Sequence, residues 1–182
     1  MILVTGGARS GKSEFAENIA TEKGDKVLYI ATSIPFDDEM KSRVELHKNR
    51  RPSNWDTFEG FKDIDKFIYA NKGKYDCILF DCITIFVTNL IFEYAKNPDN
   101  MSREDFNITQ DKIINDMENI LLAIEKINTE IVFVTNEVGM GIVPENKLSR
   151  QFRDIAGKVN QLVAKKSDEV YLTVCGIPMK IK

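Results

Sequence analysis

Residues 6–13 read GGARSGKS, which places Gly6, Gly11, Lys12 and Ser13 in the order G-x-x-x-x-G-K-S. Glycines at those positions let a backbone curl inward, so that its N–H groups and the start of a following helix face one anion. The lysine then reaches the outer phosphates of a nucleoside triphosphate, and the Ser13 hydroxyl can hold Mg2+. Such a pattern has a mechanism only between a strand and a helix. Here the apolar run ILVT (2–5) precedes it and a helical pattern from Lys12 through Thr21 follows. Gly6, Gly7, Ala8, Arg9, Ser10, Gly11, Lys12 and Ser13 are therefore expected to cradle phosphates.

Two carboxylates could complete such a site. CILFD (77–81) puts Asp81 at the carboxyl end of a buried strand, where a carboxylate reaches the Mg2+ shell; the bland alternative is an N-cap for the helix that DCIT begins. Glu59, in WDTFEGF, could accept the edge donors of a guanine or merely complement a helix entry. Trp55 beside it could stack on a base or anchor packing.

The chain's single histidine lies in RVELHKNRRP (43–52). On a helix from about Asp37 to Arg50, Arg43, His47 and Arg51 share one ridge with Met40 beside it. The cationic neighbours disfavour protonating the ring and attract polyphosphate, which suits a neutral imidazole attacking an α-phosphorus while arginines stabilise the departing pyrophosphate. A solvated basic helix is the plain alternative.

These groups need elements to position them. Apolar runs ILVT (2–5), VLYIA (27–31), CILFD (77–81), IVFVT (131–135) and VYLTV (170–174) alternate with helical patterns, which predicts an α/β fold with a parallel sheet covered on both faces. Helices are expected over 104–127, 145–166 and 84–95, the last apolar nearly all round, with 95–105 a polar loop. GIPMKIK (176–182) can return as an antiparallel edge strand, since proline is tolerated at edges. TNEVGMGIVPE (135–145) leaves the carboxyl end of the fourth run, the edge where open α/β sheets bind ligands, and is long enough for a lid or a substrate contact. No segment folds independently, so 1–182 is expected to be a single domain.

The 182 residues carry a net charge of −3, which argues against a nucleic-acid polymer and for small phosphorylated ligands. No apolar stretch approaches the roughly 20 residues of a membrane span, and the start lacks a signal-peptide pattern. Cys77, Cys82 and Cys175 form no C-x-x-C pair, and a reduced, cytoplasmic protein is expected.

LVTGGARSGKS, YIATS, DDEM, HKNRRP, DCIT with VTNL, and VTNEVGMGIVPENKLSRQFRDIAGKVNQ, in this order from residue 2 to the end, closely resemble the bifunctional adenosylcobinamide kinase/adenosylcobinamide-phosphate guanylyltransferases. The resemblance implies a RecA-like P-loop domain, a homotrimer, the substrates adenosylcobinamide and GTP or ATP, and Mg2+ as cofactor, with Ser13 and Asp81 on the metal. It implies that His47 becomes guanylylated, and that the nucleotide contacts fall on Gly6 to Ser13, Thr32, Ser33, Lys48, Asn49, Arg50, Arg51, Glu59 and Asp81. Many of these relatives carry glutamate where Asp81 stands, one methylene longer. Two other readings are a P-loop kinase without nucleotidyl transfer and a GTP-dependent switch; NKGK (71–74) and NKLS (146–149) fail the N-K-x-D base reader of a switch.

Overall fold

The computed structural model describes residues 1–33 and 52–182. The expected helix over 37–50 lies outside the described residues. Strands β1 (Ile2–Gly6), β2 (Val27–Ala31), β3 (Asp56–Glu59), β4 (Cys77–Asp81), β5 (Glu130–Asn136), β6 (Glu169–Val174) and β7 (Ile177–Lys180) form one sheet in the order β3-β2-β4-β5-β1-β6-β7. All neighbours are parallel except β6 and β7. This is the α/β class that the alternating runs predict, with the antiparallel edge in place. Pro178, which has no N–H to give, sits on that edge strand opposite Thr173.

Alternation along the strands divides the core. Ile2, Val4, Val27, Tyr29, Leu79, Val132 and Val134 face α1 (Lys12–Lys23) and its Ala16, Ile19 and Ala20. Leu3, Leu28, Ile30, Ile78, Phe80, Ile131 and Phe133 face the opposite layer. That layer holds α2 (Ile64–Ala70), α3 (Ile83–Tyr94), α4 (Arg103–Ile127) and α5 (Lys147–Lys166). With both faces covered, β2 and the first four residues of β4 are buried without a polar partner side, which is why they read as unbroken apolar runs.

Caps set the helix boundaries. Ser102 and Asp105 form a capping box, the Ser102 hydroxyl accepting the Asp105 N–H at 3.0 Å, so α4 starts at Arg103. The Asn146 side chain accepts the Ser149 N–H at 3.0 Å, which starts α5 at Lys147, two residues after the expected 145. Three elements were not foreseen. Strand β3 (DTFE) has one apolar residue and pairs only with β2 at the sheet edge, where polar residues are tolerated; α2 is a short helix packed on α4, and Pro98–Asn100 forms one 3-10 turn in the expected loop.

Phe80 packs against Phe86 and Phe133 at centroid distances of 5.6 and 5.4 Å, and all three rings are buried. Phe133→Ala is expected to lower unfolding free energy by about 3–5 kcal/mol in urea titration, through lost apolar burial and the cavity left behind.

Candidate active site

Because six strands run parallel, their carboxyl ends collect along one edge of the sheet. Glu59 ends β3, Asp81 ends β4, Asn136 ends β5 and Gly6 ends β1, where GGARSGKS turns the chain into α1. Thr32 and Ser33 follow β2 at the same edge.

The phosphate loop is held by its carbonyls. The Gly6 carbonyl accepts the Glu137 N–H at 3.0 Å, and the Ser10 carbonyl accepts the Gly176 N–H at 2.8 Å. Gly7 accepts from Ser10 N at 3.3 Å and from Lys12 Nζ at 3.1 Å, and Gly11 accepts the Phe15 N–H at 3.0 Å. None of these ties uses the N–H of Ala8, Arg9 or Gly11, so among the described residues those groups have no backbone partner and can face an anion at the start of α1. Two glycines have steric reasons. A Cβ on Gly6 would lie 2.5 Å from the Thr173 carbonyl oxygen, and one on Gly11, whose φ is +90°, would lie 2.9 Å from the Cα of Gly176. At Gly7 a Cβ would meet nothing within 4 Å, so packing of the chain does not account for that residue, whereas the close approach of a phosphate would.

Lys12 opens α1 and is nearly buried. Burial pushes its amine below the ordinary lysine range, against the pull of Cys82 and Asp81. The Cys82 thiol is itself pushed up to about 12 by burial and by Asp81, so it is uncharged at neutral pH and the effective counter-charge is the Asp81 carboxylate. Asp81 is half-buried, and its Oδ2 accepts the Tyr29 hydroxyl at 2.7 Å. It is not the cap of α3: Cys82 holds that position, and no side chain caps the helix.

Thr32 belongs to the frame. Its fully buried hydroxyl donates to the Cys82 carbonyl at 2.8 Å and accepts the Cys82 N–H at 2.9 Å; its N–H donates to the Asp81 carbonyl at 3.1 Å, and its own carbonyl accepts Asn89 Nδ2 at 2.7 Å. Its hydroxyl thus ties the end of β2 to the Cys82 backbone at the same edge as the phosphate loop. Ser33 is partly exposed beside it. Glu59 is exposed at the end of β3, four strand spacings or about 19 Å from β1. It shares the edge with the loop without adjoining it. Trp55 is buried in the cluster that faces α1, the packing role of its two readings. His47, Lys48, Asn49, Arg50 and Arg51 lie outside the described residues.

The segment after β5 is tied to the loop through Glu137 and braced from α5. Arg153 Nη1 donates to the Ile142 carbonyl at 3.2 Å and Arg150 Nη1 to that of Pro144 at 2.8 Å, while Met140, Ile142 and Val143 remain exposed. Sequence reading missed Tyr29, Asn89 and the Cys175–Gly176 turn that abuts the loop. Only Tyr29 carried a signal, a phenol inside an otherwise apolar strand, where a buried hydroxyl needs a partner.

The oxygen donors fit Mg2+. Ser13 stands in the first turn of α1, and Asp81 Oδ1 accepts no hydrogen bond from the described residues. Among those residues no three His, Cys, Asp or Glu side chains converge, so an ion here would depend on the nucleotide's own phosphates and water for most of its ligands. The arrangement can bind a polyphosphate and stabilise charge on a phosphoryl group in transfer.

Gly11→Ala should weaken nucleotide binding about tenfold or more, because a side chain at positive φ is strained and its Cβ collides with Gly176. Equilibrium titration with a fluorescent GTP analogue measures this. Thr32→Val should also lower stability by about 1–3 kcal/mol in urea titration, by leaving the Cys82 N–H without its acceptor.

The family described as cobinamide kinase / cobinamide phosphate guanyltransferase matches residues 2–181. A protein of Escherichia coli named bifunctional adenosylcobalamin biosynthesis protein CobU is 47% identical over 184 residues, covering 100% of this chain and 99% of that one. Its namesake in Salmonella typhimurium is 48% identical over 182 residues with the same coverage, and the Pseudomonas aeruginosa protein CobP is 36% identical over 180 residues, 99% of this chain and 96% of its own. Among solved structures, a KaiC-like protein of Pyrococcus horikoshii superposes with a TM-score of 0.50 at 14% identity, over 94% of this chain and 69% of that chain, a likeness of fold alone. With its phosphate loop at the sheet edge and a full-length match, the chain belongs to the cobinamide kinase/cobinamide phosphate guanyltransferase family.

Proposed function

We propose that this protein phosphorylates the aminopropanol hydroxyl of adenosylcobinamide with a nucleoside triphosphate, then transfers GMP from GTP through His47 to give adenosylcobinamide-GDP in cobalamin biosynthesis. The observation that carries this reading is a phosphate loop whose Ala8, Arg9 and Gly11 amides have no backbone partner among the described residues, sharing its sheet edge with Asp81, in a chain that matches the family over residues 2–181.

In the first reaction the substrate hydroxyl oxygen attacks the γ-phosphorus, the bond to the β,γ-bridging oxygen breaks, the nucleoside diphosphate leaves and the hydroxyl proton passes to water. The N–H groups of Ala8, Arg9 and Gly11, with Lys12, hold the phosphates in line for this attack. Lys12 has to leave the Gly7 carbonyl to do so, exchanging a neutral acceptor for an anionic one. Bound Mg2+ supplies charge neutralisation on the phosphate oxygens, with Ser13 and Asp81 as its protein ligands.

In the second reaction a ring nitrogen of His47 attacks the α-phosphorus of GTP and pyrophosphate departs. A phosphate oxygen of the substrate then displaces the imidazole, forming a P–O–P linkage and restoring the histidine. Lys48, Arg50 and Arg51, with Asn49 among them, stabilise the departing charge, and Glu59 accepts the edge donors of guanine. The exposed Met140, Ile142 and Val143, on a segment braced by Arg150 and Arg153, offer apolar surface at the same edge to a corrinoid acceptor.

We further place the protein in the cytoplasm as a homotrimer. Free Cys77, Cys82 and Cys175 suit a reducing compartment. No described helix is long and apolar enough to cross a membrane. Phe92, 60% exposed, borders a cavity of about 190 Å³ lined by Ile91, Leu148 and Phe152, which supports a subunit contact.

Incubation with GTP and Mg2+ followed by intact-mass measurement is expected to show one added GMP on the natural chain and none on His47→Ala. Absence of the adduct from the natural chain, with ATP-dependent phosphorylation of adenosylcobinamide intact, would leave a kinase alone.

A further inference from the structure

Strand β2 reads VLYIA, and all five residues are buried. Tyr29 is 3% exposed in the cluster between the sheet and α1. A phenylalanine would fill that space equally well without burying a hydroxyl, a burial that is unfavourable unless the group finds a hydrogen-bond partner. Register pairs Tyr29 with Leu79, two residues before Asp81 on the neighbouring strand. Residues two apart on a strand point to the same face, so the phenol ring lies along the face that also carries the Asp81 carboxylate. The hydroxyl closes on Asp81 Oδ2 at 2.7 Å. Oδ1 receives no hydrogen bond from the described residues.

The same strand also holds the backbone of Asp81. Just beyond β2, the Thr32 N–H donates to the Asp81 carbonyl, and the Thr32 hydroxyl pairs with the next peptide at Cys82. One strand thereby fixes both main chain and carboxylate of the residue, leaving little rotation about its side-chain bonds.

We propose that Tyr29 is a positioning residue, one that anchors Oδ2 of Asp81 and so aims Oδ1 at the Mg2+ accompanying a nucleotide in the phosphate loop. The inference rests on the reading of Asp81 as a metal ligand. It assigns Tyr29 no contact with nucleotide, substrate or metal. A carboxylate held at one oxygen keeps its second in a constant place, and outer partners of this kind set how tightly an ion is held. Without the hydroxyl, Asp81 would sample rotamers that turn Oδ1 away from the ion, and Mg2+ would bind more weakly while the loop's own grip on phosphate stayed as before.

The test uses the full chain and a non-hydrolysable GTP analogue, whose affinity is measured by fluorescence in EDTA and then across a Mg2+ titration for the natural protein, Tyr29→Phe, Asp81→Asn and the double variant. Thermal unfolding without ligand confirms that each is folded. Tyr29→Phe is expected to bind the analogue in EDTA as the natural chain does and to need about tenfold more Mg2+ for the half-maximal gain in affinity. Asp81→Asn should lose most of that gain, and adding Tyr29→Phe to it should change the Mg2+ requirement no further.

A Tyr29→Phe protein with the natural Mg2+ requirement, alongside an impaired Asp81→Asn, overturns the positioning role and leaves Asp81 as a ligand. Asp81→Asn with the natural requirement overturns the metal reading of Asp81 itself, and the role of Tyr29 with it. A Tyr29→Phe protein that binds the analogue more weakly in EDTA by the same factor as in Mg2+ also overturns the proposal, since the hydroxyl would then support the loop generally. Were Tyr29→Phe to unfold, Asp81→Glu would serve, because its extra methylene breaks the Tyr29 hydrogen-bond geometry while keeping the charge; a natural Mg2+ requirement there overturns the role and a raised one supports it.

Discussion

An anion-binding loop works only if its own N–H groups stay unpaired, and a backbone with unpaired amides must be held in shape by something else. Here the carbonyls do this. Gly6 is tied to Glu137 on one side and Ser10 to Gly176 on the other, while Gly11 enters α1 through Phe15. The loop is thus suspended between the segment that leaves β5 and the turn that joins β6 to β7. Gly11 packs against Gly176 with no room for a Cβ between them, so the small antiparallel hairpin at the sheet edge buttresses the phosphate loop.

A second constraint acts two strands away. Asp81 must sit at the same edge as Lys12, but a carboxylate near a lysine could simply collapse onto it as an ion pair. The Tyr29 hydroxyl and the Thr32 clamp hold Asp81 from the β2 side instead, and Lys12 rests on the Gly7 carbonyl. Burial outweighs the pull of Asp81 on the Lys12 amine, so the amine lacks a full counter-charge that a polyphosphate can supply. The edge is also long. About 19 Å separates β3 from β1, so Glu59 and the phosphate loop mark opposite ends of one surface.

Much of the fold was legible because a sheet covered on both faces requires unbroken apolar strands, and β1, β2, β4, β5 and β6 all have them. Strand β3 escaped notice because an edge strand with one paired neighbour can be polar, and DTFE is. Helix boundaries moved by one or two residues where a side-chain cap, Ser102 or Asn146, set the first turn. In the site, the phosphate loop was legible because its chemistry is local to eight residues. The structural role of Thr32 was not legible for the opposite reason: the two peptide groups that its hydroxyl bridges are those of Cys82, fifty residues on.

By itself, then, the chain's order of residues determined everything that depends on neighbours: the strand-loop-helix around Lys12, the apolar strands that must lie inside, the stripe on α4 and the presence of a single histidine among cations. Only tertiary structure decided which distant groups touch. That the β6–β7 turn props the phosphate loop, that Tyr29 holds Asp81 across two adjacent strands, and that Trp55 packs under the sheet instead of facing a ligand are consequences of strand order and register. Local propensity carries no record of that order, because the energies that select it come from burial shared among segments far apart in the chain.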